Sequence, residues 1–370
     1  MRVLVVTMVH DPQDARIRYR QLPSLLVAGH QVTYAAPFTA YGRTPPDEVV
    51  AIDLPRAFGR RRLAALRAAR TLVRREASRH DLVLLHDPEL LLTLPGTRGL
   101  PAVVWDVHED TAAAISMKRY IPQPLRRNAS RLVLMAERLA ERHVHLTLAE
   151  EGYVPRFARA HPVVPNTVPV PDDEPPPPGT DRVVYLGRLT LERGALDMVA
   201  LAPLLPPGVR LELVGPADPD VQQAVEAAAA SGSLLWHGFL PNDVALDVLQ
   251  GAAAGLSMLH DEPNYRHSRF TKLMEYMANG VPVVTTANPA AAELIERYQA
   301  GLVVPFDDIP AAAQAIRRLV EDDELRLTLA RNGRRAAVAD LDWRVSGPQF
   351  VRQLEKWAAQ GRPRLTALSG

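Results

Sequence analysis

The chain of 370 residues contains no cysteine, which excludes a disulfide framework, a thiolate metal site and a thiol nucleophile. It has no uncharged apolar run of about 20 residues, the length a bilayer span requires. Its apolar opening is too short for a secretory leader, because Asp11 follows His10 at once. Lysine is scarce: Lys118, Lys272 and Lys356 stand among 43 basic residues. There is no P-loop, no G-x-G-x-x-G and no Ser/His/Asp motif. A cytoplasmic protein is expected, without the common phosphate-loop or acyl-transfer signatures.

What is present is ordinary for a globular protein, with 47% hydrophobic and 23% charged residues. At about 150 residues per domain, the length implies two domains. The net charge of +1 hides an asymmetry. Residues 1–165 carry 24 Lys+Arg against 16 Asp+Glu, a balance of +8, and the remainder carry 19 against 26, a balance of −7. The first half is suited to face something anionic. No nucleic-acid partner is expected.

Along the chain, short β-branched runs alternate with helical spacing. Arg2–Thr7, Gln31–Ala36, Leu82–Leu85 and Ala102–Trp105 read as buried parallel strands. Arg16 to Ala28 reads as a helix stopped by Gly29, and Asp106 to Asp110 as a polar cluster after the fourth strand. The proline-rich stretch 166–180, with Pro175–Pro178, reads as a stiff linker. Strands then resume at Val183–Leu186, Leu211–Val214, Leu234–Trp236, Ala254–Met258 and Val281–Val284. The pattern predicts a first domain over 1–165, a second over 181–340, and a C-terminal helix and tail over 341–370. Two doubly wound α/β domains leave a cleft, the usual place for a ligand.

Two segments carry chemistry. In Tyr185-Leu-Gly-Arg-Leu189, continuing to Glu192-Arg-Gly194, a strand ends and Gly187 allows close backbone approach. Arg188 and Arg193 follow, and each guanidinium offers a planar fork suited to a diphosphate. In Phe270 to Val284 a helix begins, Gly280 stops it and a strand follows. The first amides, at Phe270, Thr271 and Lys272, favour phosphate through the helix dipole, and Glu275 lies one turn further in. His10, His86 and His108 fall at or just beyond strand ends, too separated to read as a zinc site. Asp218-Pro-Asp220 reads as a polar loop. No metal site is expected.

The order of these segments resembles family 4 of the retaining glycosyltransferases, of GT-B fold. The resemblance rests on the His10-Asp11 loop, Ala28-Gly-His-x-Val32, His86-Asp-Pro88, Asp106-Val-His108, Val164-Pro-Asn166, Leu186-Gly-Arg-Leu189, Trp236-His-Gly-Phe-Leu240 and Lys272 to Val284. It implies two Rossmann-like domains facing a central cleft, with the final helix crossing back to the first. Arg188 and Arg193 would hold the donor diphosphate and support catalysis, with Gly187, Phe270, Thr271 and Lys272 around it. Glu275 would hold the ribose, and Phe239 and Leu240 would lie near the base. His108 would act at the transferring sugar or acceptor, with His10, His86, Asn166, Asn264 and His267 as further sugar or acceptor contacts.

The chain departs from that pattern in one place. The family commonly carries a glutamate eight residues before the position of Glu275, and here that residue is His267. The implied reaction is metal-independent retaining transfer of a sugar from a UDP- or GDP-linked donor to a hydroxyl on a glycan, glycolipid or natural product, with no added cofactor. The rivals are a non-hydrolysing nucleotide-sugar epimerase and a non-catalytic glycosyltransferase-like partner subunit. Between Arg56 and Arg79, nine arginines stand with the single acid Glu76. On a helical wheel Arg60, Arg61, Arg67, Arg70, Arg74 and Arg75 share one side, and Leu63, Ala65, Leu66, Ala69, Leu72, Val73 and Ala77 cover the other, with Arg62 the exception. Residues 56–79 are thus a scaffold helix or a peripheral contact with the anionic inner face of the cell membrane, where a lipid-linked acceptor would be found.

Overall fold

The computed structural model describes residues 1–108, 123–263, 265–266 and 270–361. The chain divides into two units, residues 1–166 with the segment from Arg344 onward, and Thr167–Trp343. The first holds a six-stranded sheet of β1 (Arg2–Val6), β2 (Gln31–Ala36), β3 (Val50–Asp53), β4 (Leu82–Leu85), β5 (Ala102–Val107) and β6 (His145–Leu148), in the order β3-β2-β1-β4-β5-β6. The second holds β7 (Arg182–Leu186), β8 (Arg210–Val214), β9 (Leu235–Gly238), β10 (Ala254–Ser257), β11 (Val283–Thr286) and β12 (Gly301–Val304), in the order β12-β11-β10-β7-β8-β9. Every pairing is parallel. Read in chain order, both sheets run 3-2-1-4-5-6, the doubly wound pattern.

Parallel strands covered on both faces must be apolar on both sides. Val3, Leu4, Val5 and Val6 are accordingly buried throughout, as are Leu82–Leu85. Three strands carry no such signal. The edge strand β3 is largely exposed, β6 contains His145 and Thr147, and β12 opens on a glycine. One boundary moves in a way that matters. The polar cluster expected after Trp105 begins two residues later, because β5 continues through Asp106 and Val107, and Asp106 is wholly buried within it.

The expected first helix also differs. Ile17–Gln21 is a π-helical turn, and the α-helix proper is Leu22–Val27. The wider turn carries Gln21 inward to the buried carboxylate of Asp106. The arginine-rich helix runs Arg62–Glu76 and buries Ala65, Ala69, Leu72 and Val73. Leu63, placed on the apolar side by the wheel, is instead 68% exposed, being in the helix's first turn ahead of that packing. The proline-rich stretch is held along the second unit, where Arg326 Nε donates to Pro178 O and Arg334 Nη2 to Pro171 O. The last helix, Trp343–Gln360, is tied to the first unit by the stacking of Trp357 on His145 at 4.8 Å between centroids. Among the described residues no helix is long and apolar enough to cross a membrane.

Candidate active site

In a doubly wound sheet, ligands bind outside the carboxyl ends of the strands where the strand order reverses. That point lies between β1 and β4 in the first unit and between β7 and β10 in the second. His10, His86 and Gly187 follow the strands that flank these points.

In the first unit His10 follows β1, His86 and Asp87 follow β4, and His108 follows β5. Asp106 organises them. Its carboxylate accepts from Arg16 Nε at 2.6 Å and Nη2 at 2.8 Å, from Gln21 Nε2 at 2.9 Å and from Thr147 Oγ1 at 2.6 Å. Arg16 also donates from Nη1 to Val164 O and to Asn166 Oδ1. Asn166 therefore serves as part of the Arg16 clamp. Burial pushes Asp106 upward, but the charge and forked bonds of Arg16 hold it well below the usual carboxylate range.

The three imidazoles lie close together. His108 Nδ1 is 3.1 Å from Asp106 O, and its Nε2 is 3.1 Å from His10 Nε2. His10 Nε2 is 3.3 Å from Asp87 Oδ1. His86 sits behind, with its ring 5.4 Å from that of His108 and its side chain entirely enclosed. It supports the cluster and presents no surface to a sugar. Burial, though countered by Asp106, lowers His86 to about 4. Burial pulls His108 down too, yet its hydrogen bond to Asp106 and the charges of Asp106 and Asp14 raise it to about 9. His86, Asp106 and His108 are close enough to share a metal. The Arg16 guanidinium already on the Asp106 carboxylate makes that a poor cation site.

These two shifts predict how stability varies with pH. An unfolded histidine titrates near 6.5. The neutral His86 contributes stability above 6.5, lost as pH falls through about 4. The charged His108 contributes stability below 6.5, lost as pH rises through about 9. We expect the first unit to be most stable near pH 6.5 and each limb to cost about 3 kcal/mol. Urea midpoints at pH 4.5, 6.5 and 9.5 check this, and a flat profile contradicts it.

In the second unit the end of β7 is open. Gly187 adopts φ +125°, and a Cβ there would approach Lys272 Nζ to 3.3 Å. Gly215 at φ +138° lets β8 pass the same loop, since a Cβ would meet Gly187 O at 2.1 Å. Thr271–Ala278 forms the helix that faces this gap, and its Tyr276 hydroxyl accepts from Leu186 N and donates to Leu256 O, both at 3.0 Å. Lys272 is buried, with Nζ 3.7 Å from the Tyr185 ring centroid and no hydrogen-bond partner among the described residues. Burial, reinforced by the charge of Arg193, lowers its pKa well below the ordinary lysine value. Asn288, just beyond β11, is likewise buried with neither carboxamide atom paired.

Arg188 does not point into this gap; it is 59% exposed and paired with Asp218. Phe239 is exposed and Leu240 half-buried, while Thr271 and Glu275 are half-buried on the helix. Tyr265 packs edge-on against Phe270 at 5.2 Å. Asn264 and His267 lie outside the described residues. Sequence reasoning missed Asp14, Arg16 and Asp87, although charged residues directly after apolar strands, as in His86-Asp87, were a readable signal.

Residues 171–336 match the family model described as Glycosyl transferases group 1. That match spans most of the second unit. Over almost the whole length, the chain is 27% identical to the phosphatidyl-myo-inositol mannosyltransferase of Mycolicibacterium smegmatis, covering 90% of this chain and 87% of that one. Other curated glycosyltransferases, at 26–31% identity, match about half of this chain, which spans less than half their length. Sucrose-phosphate synthase from Thermosynechococcus elongatus superposes with a TM-score of 0.74 at 19% identity, over 97% of this chain and 100% of that one. The Anabaena protein HepE in complex with UDP and glucose gives 0.72 at 16%, over 96% and 100%. The fold is GT-B.

Proposed function

We propose that the protein is a nucleotide-sugar-dependent glycosyltransferase of family 4 that retains configuration at the anomeric carbon. The observation that carries this is the buried Lys272 ammonium, without a hydrogen-bond partner among the described residues, beside Gly187 at the start of a helix and at the strand-order reversal of the second sheet. A buried cation without a partner is costly, and a diphosphate supplies the missing charge. In this reading Lys272, Arg193 and the first helix amides hold the diphosphate of a UDP- or GDP-linked sugar. Arg188 joins them by exchanging Asp218 for phosphate. Glu275 accepts from the ribose hydroxyls, and Phe239 and Leu240 flank the base. The matched family and the UDP complex of a structural neighbour support the donor class.

Transfer needs stabilisation of the negative charge on the departing diphosphate, and Lys272 and Arg193 provide it without a metal. The acceptor hydroxyl attacks on the face that the diphosphate leaves, and a leaving phosphate oxygen takes its proton. In this reading His108 contacts the transferring sugar or the acceptor. A lipid-linked acceptor fits the exposed Arg60, Arg61, Arg67, Arg74 and Arg75, which suit an anionic membrane surface. The rival epimerase would interconvert nucleotide sugars with no acceptor present, so donor-only incubation separates the two.

The direct test is calorimetric titration with UDP, GDP and inorganic pyrophosphate. Glu275→Ala is expected to weaken the nucleoside diphosphate about 10–100-fold, the worth of a hydrogen bond to a charged group. It should leave pyrophosphate, which has no ribose, nearly unchanged. Equal losses for both ligands would overturn the ribose assignment. Absence of binding by any nucleotide would overturn the function.

A further inference from the structure

The Nε2 atoms of His10 and His108 are 3.1 Å apart. Two N–H groups cannot point at one another across that gap, so the contact holds a single proton. The Nδ1 of His108 faces Asp106, 3.1 Å from its carbonyl oxygen and 3.4 Å from Oδ2. Both acceptors demand a proton on that nitrogen. Both nitrogens of His108 are thus engaged. His10 makes no hydrogen bond through Nδ1 among the described residues, and it is the more exposed of the two rings, at 12% against 7%.

We propose that His10 and His108 work as a two-ring proton relay, with His10 Nδ1 as the port and His108 as the positioning residue behind it. In the neutral state the shared proton belongs to His10 Nε2, and Nδ1 is bare. In the charged form Nδ1 carries a proton and the Nε2 proton has passed to His108 Nε2, so the positive charge lies beside Asp106 and Nδ1 is the atom that gives a proton to an oxygen. Release reverses the order, so atoms and charge balance at each step. The pair carries one positive charge and resists a second, because doubly protonated rings would place two N–H groups in one gap.

The surroundings favour this. Asp14 accepts from Arg16 N and Ile17 N; burial raises its carboxylate, and the charge held by the His10–His108 pair together with the Ile17 bond lowers it on balance. Asp87 faces His10 from the end of β4 while accepting from Thr7 Oγ1, Met8 N and Val9 N. Arg16, buried on Asp106, limits how much negative charge the pair feels, and the enclosed His86 stays neutral behind His108. A proton entering at His10 is therefore stabilised on His108, the ring that burial, outweighed by Asp106, leaves charged at neutral pH.

The use made of the relay rests on the glycosyltransferase reading, but its existence does not. Ring-nitrogen NMR of the full chain, without nucleotide, follows both histidines from pH 5 to 10. The expected result is one coupled step, with the Nε2 signals of both rings moving together. His10→Phe should lower the His108 midpoint by about one pH unit, since its imidazolium loses an acceptor. Where the phenylalanine variant fails to fold, His10→Leu supplies the same measurement, since it too removes the acceptor. Independent titration of the two rings, or an unmoved His108 midpoint, overturns the relay. In turnover, His10→Gln should lower kcat about 100-fold and flatten its pH dependence, with nucleotide affinity unchanged. A coupled NMR titration with no transfer from any nucleotide sugar would keep the relay and refute the glycosyltransferase reading. Wild-type kcat in the folded His10→Gln enzyme would refute the port.

Discussion

Asp106→Asn should lower the stability of the first unit by about 3–5 kcal/mol, the cost of leaving one member of a buried pair without its counter-charge. Arg16 is 3% exposed and directs two of its three nitrogens to this carboxylate. The amide can accept on one side only, so it meets Arg16 and Gln21 or Thr147 with an N–H facing a donor. For a unit of this size the melting temperature should fall by at least about 6 °C. The loss belongs to the broken pair. Arg16→Met combined with Asp106→Leu should regain much of it, because two apolar groups of similar volume need no counter-charge. Denaturant titration of the two single variants and the double variant measures the coupling. Additive losses, or an Asp106→Asn loss below about 1 kcal/mol, would show that the carboxylate is not the organising group. Acid should reproduce the effect. The depressed Asp106 contributes stability above the unfolded carboxyl pKa, near 3.9, and loses it as pH falls below that value.

Lys272→Met is expected to act in opposite directions on binding and on stability. The ammonium is buried, without a hydrogen-bond partner among the described residues, and pushed toward its neutral form by burial and by Arg193. Methionine keeps the length of the side chain and removes the desolvated charge, so the nucleotide-free protein should melt no lower than wild type. The contact of Nζ with the Tyr185 face is lost, but a thioether packs well against an aromatic ring. Binding should suffer. A charge-assisted contact to phosphate contributes roughly 1.5–3 kcal/mol, so inorganic pyrophosphate and nucleoside diphosphate should both weaken about 10–100-fold. Calorimetry with pyrophosphate, paired with a melting curve, checks both halves. Unchanged pyrophosphate affinity would remove Lys272 from the diphosphate site. A large fall in melting temperature would mean that the ammonium has a structural partner.

Much of this architecture was legible from residue order. Apolar runs such as Arg2–Val6 and Leu82–Leu85 are dictated by burial on both faces of a parallel sheet, and the loops after them carried the candidate residues. What failed was local. Asp106 read as the start of a loop, because a carboxylate inside a central strand contradicts the apolar pattern unless a distant partner compensates it. That partner, Arg16, lies 90 positions away, and local spacing cannot pair them. Nor could local spacing show that Arg188, read as a phosphate ligand, pairs with Asp218, 30 positions on. Leu63 read as packed, since a wheel assumes that the whole apolar face is covered.

The sequence by itself determined the alternation of strand and helix, the two-unit organisation and which loops hold polar groups, because burial and periodicity act over neighbouring residues. Tertiary structure alone decided the ionisation of those groups. His86 and His108 are the same residue type, each placed after a buried strand. One is held neutral near 4, the other charged near 9. The difference lies in enclosure and in how each ring meets Asp106, His10 and Asp14, and such distances are fixed only when the strands pack side by side.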